Sequence, residues 1–233
     1  MKGCVMTSRG TRLVIGIVIV AFLFVSVAPV LAKDEQEAQG IVDKARVTFN
    51  SFMRSKEYTW LHRHLKDAKG VLIYPQVLKA GFILGGSGGT GVLVVKDAKT
   101  GDWSDPAFYT IGSVSFGLQI GGEAAEVIVM AMSDKAIDSL MASSVKLGGD
   151  TSIALGPVGA GAKGNVTADF ISFAKSKGLY AGLNLEGSVV DVRDSLNKAY
   201  YGKDVRPVDI IVKKDVSNKG AVALRAAVKK AAK

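Results

Sequence analysis

The chain has 233 residues, of which 48% are apolar and 22% charged, and its formal net charge is +9. These values predict one domain of ordinary size with ample material for a core, and they favour anionic partners such as lipid headgroups or nucleic acid. The single cysteine, Cys4, lies close to the N-terminus, which excludes a disulfide framework.

The first 32 residues have the three-part pattern of a secretory signal peptide. Lys2, Arg9 and Arg12 precede an uncharged apolar run, and a stretch of small residues ends at Ala32. We therefore predict cleavage after Ala32 and an exported chain, periplasmic or peripherally associated with the cell envelope, without cysteine and so without thiol catalysis. An uncleaved membrane anchor is the alternative, because about 20 apolar residues span a bilayer. Export argues against nucleic acid as a partner.

Two helices are predicted after this leader. The segment 33–56 is expected to form one amphipathic helix, because Asp34-Glu-Gln-Glu37 resembles a capping box and apolar residues such as Phe49 and Phe52 follow at helical spacing. A second, short helix is predicted over 58–66. Both helices lie in a segment rich in basic and aromatic side chains.

This basic and aromatic segment carries the strongest functional signal in the residues themselves. Lysine and arginine contacts to headgroups, combined with aromatic insertion, are the physical basis of binding to an anionic membrane surface. The sequence predicts such a contact with Trp60 at the interface, although the apolar stripe is also typical of a core helix beneath a solvated basic surface. The predicted lipid-binding residues are Arg54, Lys56, Trp60, Arg63, Lys66 and Lys69.

After Gly70 the apolar pattern changes from helical to alternating. The pattern predicts strands over 71–74, 92–95, 113–121, 127–132 and 179–186, and further helices over 133–142, 194–200 and 219–232. The fold class is therefore α+β, with a mainly antiparallel β-sandwich or barrel-like core, flanking helices, and glycine-rich strands and turns. Glycine within strands predicts a sharply curved sheet, whose small-residue face either packs against another element or forms a shallow groove for an acyl chain.

Two other patterns invite a chemical interpretation and do not support it. Gly86-Ser-Gly-Gly-Thr-Gly91 matches the dinucleotide-binding fingerprint, but it precedes the predicted strand 92–95 where that site needs a helix. We predict a glycine-rich turn there. His62 and His64 are two residues apart and so lie on different faces of a helix, which favours solvent-facing side chains over metal ligands. No cofactor, metal or catalytic residue is predicted.

Glycine-centred blocks recur in a fixed order from Ala68 onward. They include Ala68-Lys-Gly-Val-Leu-Ile-Tyr-Pro75, Gly85-Gly-Ser-Gly-Gly-Thr-Gly91, Gly117-Leu-Gln-Ile-Gly-Gly122, Leu185-Glu-Gly-Ser188 and Tyr200-Tyr-Gly202. This ordered set resembles the SYLF family of lipid-binding domains. The resemblance covers 57–202 and leaves 203–233 as a basic C-terminal tail with a short helix.

The resemblance implies a non-enzymatic function, the binding of anionic phospholipid at the membrane surface of the cell envelope. Family members that bind phosphoinositides are thought to use the N-terminal region of the domain, which corresponds to 49–69 here. The alternative is a structural or protein-interaction component of the periplasm or cell envelope, which would meet an envelope protein through the glycine-rich sheet. Actin, a partner of eukaryotic relatives, is not expected for an exported chain.

Overall fold

Eight β-strands form a single sheet in the computed structural model of the chain, which describes residues 28–81, 84–116, 121–149, 151–176 and 185–233. The strands are β1 (Gly70–Gly81), β2 (Leu84–Val95), β3 (Ala107–Phe116), β4 (Gly121–Ala131), β5 (Ser144–Lys146), β6 (Ile153–Leu155), β7 (Phe170–Ser176) and β8 (Val189–Val192). Most of the predicted signal peptide, most of the predicted strand 179–186 and part of 113–121 lie outside the described residues.

The strands follow the order β5-β8-β3-β2-β1-β4-β7-β6 across the sheet. The described neighbours pair antiparallel except for β6 and β7, which are parallel. The sheet curls into a half-barrel, so the predicted mainly antiparallel, barrel-like α+β fold is confirmed. Helical segments pack on part of each face, where a sandwich would have a second sheet.

Helices occur at the five places where the sequence predicts them. They are α1 (Ala28–Arg54), α2 (Thr59–His64), α3 (Asp134–Leu140), α4 (Asp194–Tyr201) and α5 (Val222–Ala231), with short 3-10 turns at Lys56–Tyr58, Leu65–Asp67 and Lys219–Ala221. A π-helical turn, Val208–Lys213, was not predicted. Because α1 begins at Ala28, the predicted helix start at the capping box of Asp34 is wrong, and Asp34 lies inside the helix.

The two faces of the sheet bury two separate cores. On one face, Ile73 belongs to a buried cluster that contains Phe49 of α1 and Leu224 of α5. On the other face, Tyr74 lies in a cluster with Ile210 of the π-helical turn. The C-terminal segment 203–233 therefore contributes apolar side chains to both cores, in addition to its lysines.

A bulge at Pro75 interrupts the pairing of β1 with both of its neighbours. Proline cannot donate a ladder hydrogen bond, and an extra residue in one strand bends and twists the sheet locally. The segment 86–91 pairs alongside as part of β2, so the predicted glycine-rich turn is wrong. β2 then continues to Val95 without opening a helix. This geometry lacks the helix N-terminus that a dinucleotide fingerprint requires.

Candidate functional site

A basic depression lies where α2 and the turn after it meet the C-terminal end of the chain. Its volume is about 580 Å³, and its lining residues are His62, Arg63, His64, Lys66, Asp67, Ala231 and Lys233. We call this site the basic depression. It combines two of the predicted lipid-binding residues, Arg63 and Lys66, with Lys233, which the sequence-based site did not include.

The other predicted cations do not line the basic depression. Arg54 and Lys56 are exposed at the end of α1 and in the turn that follows. Lys69 is half-buried, and its ammonium forms an ion pair of 2.9 Å with Asp134 at the start of α3. The predicted basic residues therefore fall into three groups. Arg63 and Lys66 line the basic depression, Arg54 and Lys56 are exposed elsewhere, and Lys69 is paired with an acid.

Trp60 is a core residue that fixes the position of α2. Its side chain is only 2% exposed, and its indole Nε1 donates a hydrogen bond of 2.8 Å to the Gly164 carbonyl oxygen. The prediction that Trp60 lies at a membrane interface is therefore wrong for the folded chain, because the indole would have to leave the core to reach lipid. Trp60 instead packs in the core, as expected for the alternative of a core helix beneath a solvated basic surface.

Tyr58 secures the segment that leads into α2. Its hydroxyl donates a hydrogen bond of 3.0 Å to the Ala174 carbonyl oxygen of β7, and its ring packs 4.5 Å, centroid to centroid, from that of Phe52. Burial raises the pKa of Tyr58 to about 12, so the phenol remains a neutral donor at physiological pH. The wall of the basic depression is in this way tied to both α1 and the sheet.

Each histidine of the basic depression uses one ring nitrogen to hold the backbone. The Nε2 of His62 lies 2.9 Å from the Phe52 carbonyl oxygen, and the Nδ1 of His64 lies 2.8 Å from the Trp60 carbonyl oxygen. A carbonyl oxygen only accepts, so each of these nitrogens carries a hydrogen. Both side chains are half-buried, which corrects the prediction that they simply face solvent.

The cations of the basic depression form no ion pair with a carboxylate of the described residues. Among the described residues, no carboxylate forms an ion pair with Arg63, Lys66 or Lys233, whereas six other cations of the chain are paired. The Arg63 guanidinium donates to the Ala162 carbonyl oxygen, which orients it without removing its charge. The lining contains one acidic residue, Asp67, and three basic residues, Arg63, Lys66 and Lys233. Because the basic side chains outnumber the acidic one, the depression can attract an anion.

A second concave surface, the sheet trough, lies on the glycine-rich strands β2 and β3. It measures about 800 Å³, and its floor includes Gly88 and Gly112, which are opposite each other in the β2–β3 pairing. Val114 beside them is 76% exposed. Gly88 is likewise exposed, so this part of the small-residue face is accessible to solvent.

Three ion pairs attach the C-terminal segment to the loop between β2 and β3. The pairs are Asp97–Lys214, Asp102–Lys229 and Asp105–Arg225. The third is the least exposed, with 9% of the Asp105 side chain accessible to solvent. Arg225 and Lys229 belong to α5, so two of these pairs also help to position Ala231 and Lys233 at the edge of the basic depression.

Acid is expected to loosen this attachment. Hydrogen bonds from Lys214 to Asp97 and from Lys229 to Asp102 hold the pKa of each carboxyl below its usual range. A carboxyl of this kind stabilises the fold above its unfolded-state pKa of about 4, and the contribution is lost as the pH falls through the lower, folded-state pKa. The melting temperature should therefore fall below pH about 4, more steeply for the natural chain than for Lys214→Met, which removes the main cause of the lowered pKa of Asp97. Equal slopes would contradict this expectation.

Two features are absent from the part of the chain that the structure describes. No helix there combines the length and apolar character needed to cross a bilayer. In the same residues, no three His, Cys, Asp or Glu side chains come together in a group that could hold a metal ion.

The described part of the chain is an α+β domain, in which a curled, mostly antiparallel sheet carries helices and an open basic depression lies beside α2. Comparison with protein families identifies the family of this domain. Residues 112–231 match the family described as "Ysc84: Las17-binding protein actin regulator". This match covers more than half of the chain, which therefore belongs to the Ysc84 family, also known by its SYLF domain. The SYLF resemblance of the glycine-centred blocks is confirmed.

Several curated relatives align with part of the chain. The chain is 35% identical over 152 residues to the human SH3 domain-containing YSC84-like protein 1, an alignment of 63% of this chain and 44% of the human protein. It is 37% identical over 146 residues to Protein YSC84 of Saccharomyces cerevisiae, covering 59% of this chain and 31% of the yeast protein. The chain thus matches less than half the length of these relatives. No solved structure matches it.

Proposed function

We propose that this chain binds anionic phospholipid at a membrane surface, without catalysing a reaction, and that the basic depression is the contact. One observation carries the proposal: Arg63, Lys66 and Lys233 meet in one depression, and no carboxylate among the described residues pairs with them. A cation near an anionic membrane surface contributes about 1 kcal/mol to binding, provided that it is not already neutralised.

The proposal assigns different roles to the predicted lipid-binding residues. Arg63 and Lys66 contact the headgroup together with Lys233, while the exposed Arg54 and Lys56 add attraction outside the depression. Lys69, already paired with Asp134, contributes least. Trp60 holds α2 in place from inside the core.

Replacing the three cations of the depression tests this proposal. The variant Arg63→Gln/Lys66→Gln/Lys233→Gln is expected to bind phosphatidylglycerol vesicles about a hundredfold more weakly than the natural chain, since three contributions of about 1 kcal/mol are removed. Binding should also weaken with added salt, because charges beyond about 10 Å are screened at 0.1 M. Co-sedimentation with phosphatidylglycerol vesicles, and with neutral phosphatidylcholine vesicles as reference, measures both effects.

A matched control separates a site from a general effect of charge. Lys135, Lys203 and Lys219 are exposed and form no ion pair among the described residues. Their triple replacement by glutamine removes the same charge and should weaken vesicle binding far less. If both triple variants lose affinity equally, or if the depression variant binds normally with an unchanged melting temperature, the assignment of the site is wrong.

We also propose that the chain is exported and lies in the periplasm or against the cell envelope. The support is the signal-peptide pattern of residues 1–32. The intact mass of the protein isolated from its native host is expected to correspond to a chain that begins at Lys33. A mass that retains Met1 to Ala32 would instead support the uncleaved anchor. Because of this proposed location, we do not extend actin regulation from the family description to this chain.

A second candidate function is a protein contact in the cell envelope. The observation that favours it is the uncovered end of the sheet, where Leu78 is 55% exposed and Val114 76% exposed beside the sheet trough. Exposed apolar patches of this kind occur at protein contacts. A complex that forms without phospholipid and that is lost in Val114→Asp would support this function over lipid binding.

A further inference from the structure

We infer that the basic depression takes up protons at His62 and His64 when it binds an anionic phospholipid, so that binding strengthens as the pH falls from 7.5 to 5.5. The inference rests on the proposed function and adds a form of regulation to it. Histidine is the side chain whose charge ordinarily changes between pH 5 and 8. The chain has two histidines, and both line this depression.

The hydrogen bonds of the two imidazoles leave one nitrogen of each ring available for a proton. The Nε2 of His62 and the Nδ1 of His64 are held by the carbonyl oxygens of Phe52 and Trp60. The opposite nitrogens, Nδ1 of His62 and Nε2 of His64, form no hydrogen bond among the described residues. Each can therefore accept a proton without breaking the bond that positions its ring, and it then becomes a donor for a phosphate oxygen.

The charges around the histidines couple this protonation to the anion. Arg63 of α2, Lys66 and Asp67 of the following turn, and Lys233 after α5 line the depression with them, and the Lys96 ammonium lies 2.9 Å from the Lys66 carbonyl oxygen. A phosphate bound among these cations brings negative charge close to both imidazoles, which favours their protonated form. By reciprocity, protonation then increases the affinity for phosphate.

The packing of His64 favours the same outcome. Its ring is stacked on the indole of Trp60 with centroids 3.8 Å apart and an angle of 15° between the planes. A cation over the face of tryptophan is stabilised by the negative charge of the ring face. The buried Trp60 therefore supports a charged His64 within the depression, although it makes no contact with lipid.

Vesicle binding at two pH values tests the inference. The phosphodiester of phosphatidylglycerol keeps one negative charge throughout this range, so a change in affinity reports on the protein. Each protonated histidine is expected to add up to about fivefold in affinity, and the natural chain should bind about tenfold more tightly at pH 5.5 than at pH 7.5. In the variant His62→Gln/His64→Asn, both amides can still donate to the backbone carbonyls but cannot take up a proton. Whatever its affinity at pH 7.5, this variant should lose most of the increase in affinity that the natural chain shows between pH 7.5 and pH 5.5.

A second measurement does not depend on the folding of that variant. Because the chain has two histidines, its imidazole NMR signals come from His62 and His64 alone. Addition of dihexanoyl-phosphatidylglycerol is expected to move the titration of both signals to higher pH. Unmoved titrations, or equal binding by the natural chain at the two pH values, would overturn the inference and leave the proposed function standing. The absence of vesicle binding at either pH would overturn both.

Discussion

Replacement of Gly91 by alanine is expected to lower the free energy of unfolding by about 3 kcal/mol, because the added methyl group has no space. Gly91 is buried in β2, and a Cβ there would lie 2.3 Å from the Ile73 carbonyl oxygen and 2.6 Å from the Cδ1 of Tyr74. Both obstacles belong to the adjacent stretch of β1, at the Pro75 bulge and inside the core, so neither can move without disturbing the sheet.

Gly88 provides a matched control in the same strand. A Cβ there would lie 3.7 Å from its nearest neighbour, the Ile111 carbonyl oxygen, which is an ordinary van der Waals distance. Alanine at this exposed position should change stability by no more than about 0.5 kcal/mol. Urea unfolding of Gly91→Ala and Gly88→Ala at one pH measures the difference. Similar midpoints for the two variants would show that the bulge relaxes and that the close approach at Gly91 is not required.

The contrast between these two glycines could not be predicted from the sequence. Alternating apolar residues and the glycine-centred blocks predicted the class of fold, because periodicity depends on neighbours within one strand. The close approach at Gly91 depends on a shift in register at Pro75 of another strand. The same limitation explains the incorrect turn at 86–91, where the pairing of β2 with β1 and β3 overrides the preference of glycine for turns.

The candidate site shows the same division between local and distant information. Arg63 and Lys66 were found because they lie in one short segment of high basic content. Lys233 was not predicted, since its position beside them depends on how α5 packs.

The position of Trp60 was predicted wrongly for another reason. Aromatic residues have the same spacing in a helix that inserts into a membrane and in a helix that packs on a core. Burial, which the sequence does not report, separates the two.

The attachment of α5 gives the second large expected effect. Arg225 donates from Nη1 to the Asp105 carboxylate at 3.0 Å and from Nε to the Trp103 carbonyl oxygen at 2.8 Å. Asp105 is 8% exposed, and its other carboxylate oxygen accepts from the backbone N–H of Asn218 at 3.3 Å. Removal of the guanidinium would therefore leave a nearly buried carboxylate without a cation and a carbonyl without a donor.

The variant Arg225→Met is accordingly expected to lower the free energy of unfolding by about 2 kcal/mol. This is less than the 3–5 kcal/mol typical of a broken buried pair, because the Arg225 side chain is 35% exposed. Lys229→Met serves as the control. It removes an ion pair of α5 whose partner, Asp102, is half exposed, and it should leave the melting temperature nearly unchanged.

In the Arg225→Met background, Asp105→Asn should restore part of the lost stability, because the uncompensated charge is then absent. Additive losses in the double variant would show that the two side chains do not act as a pair.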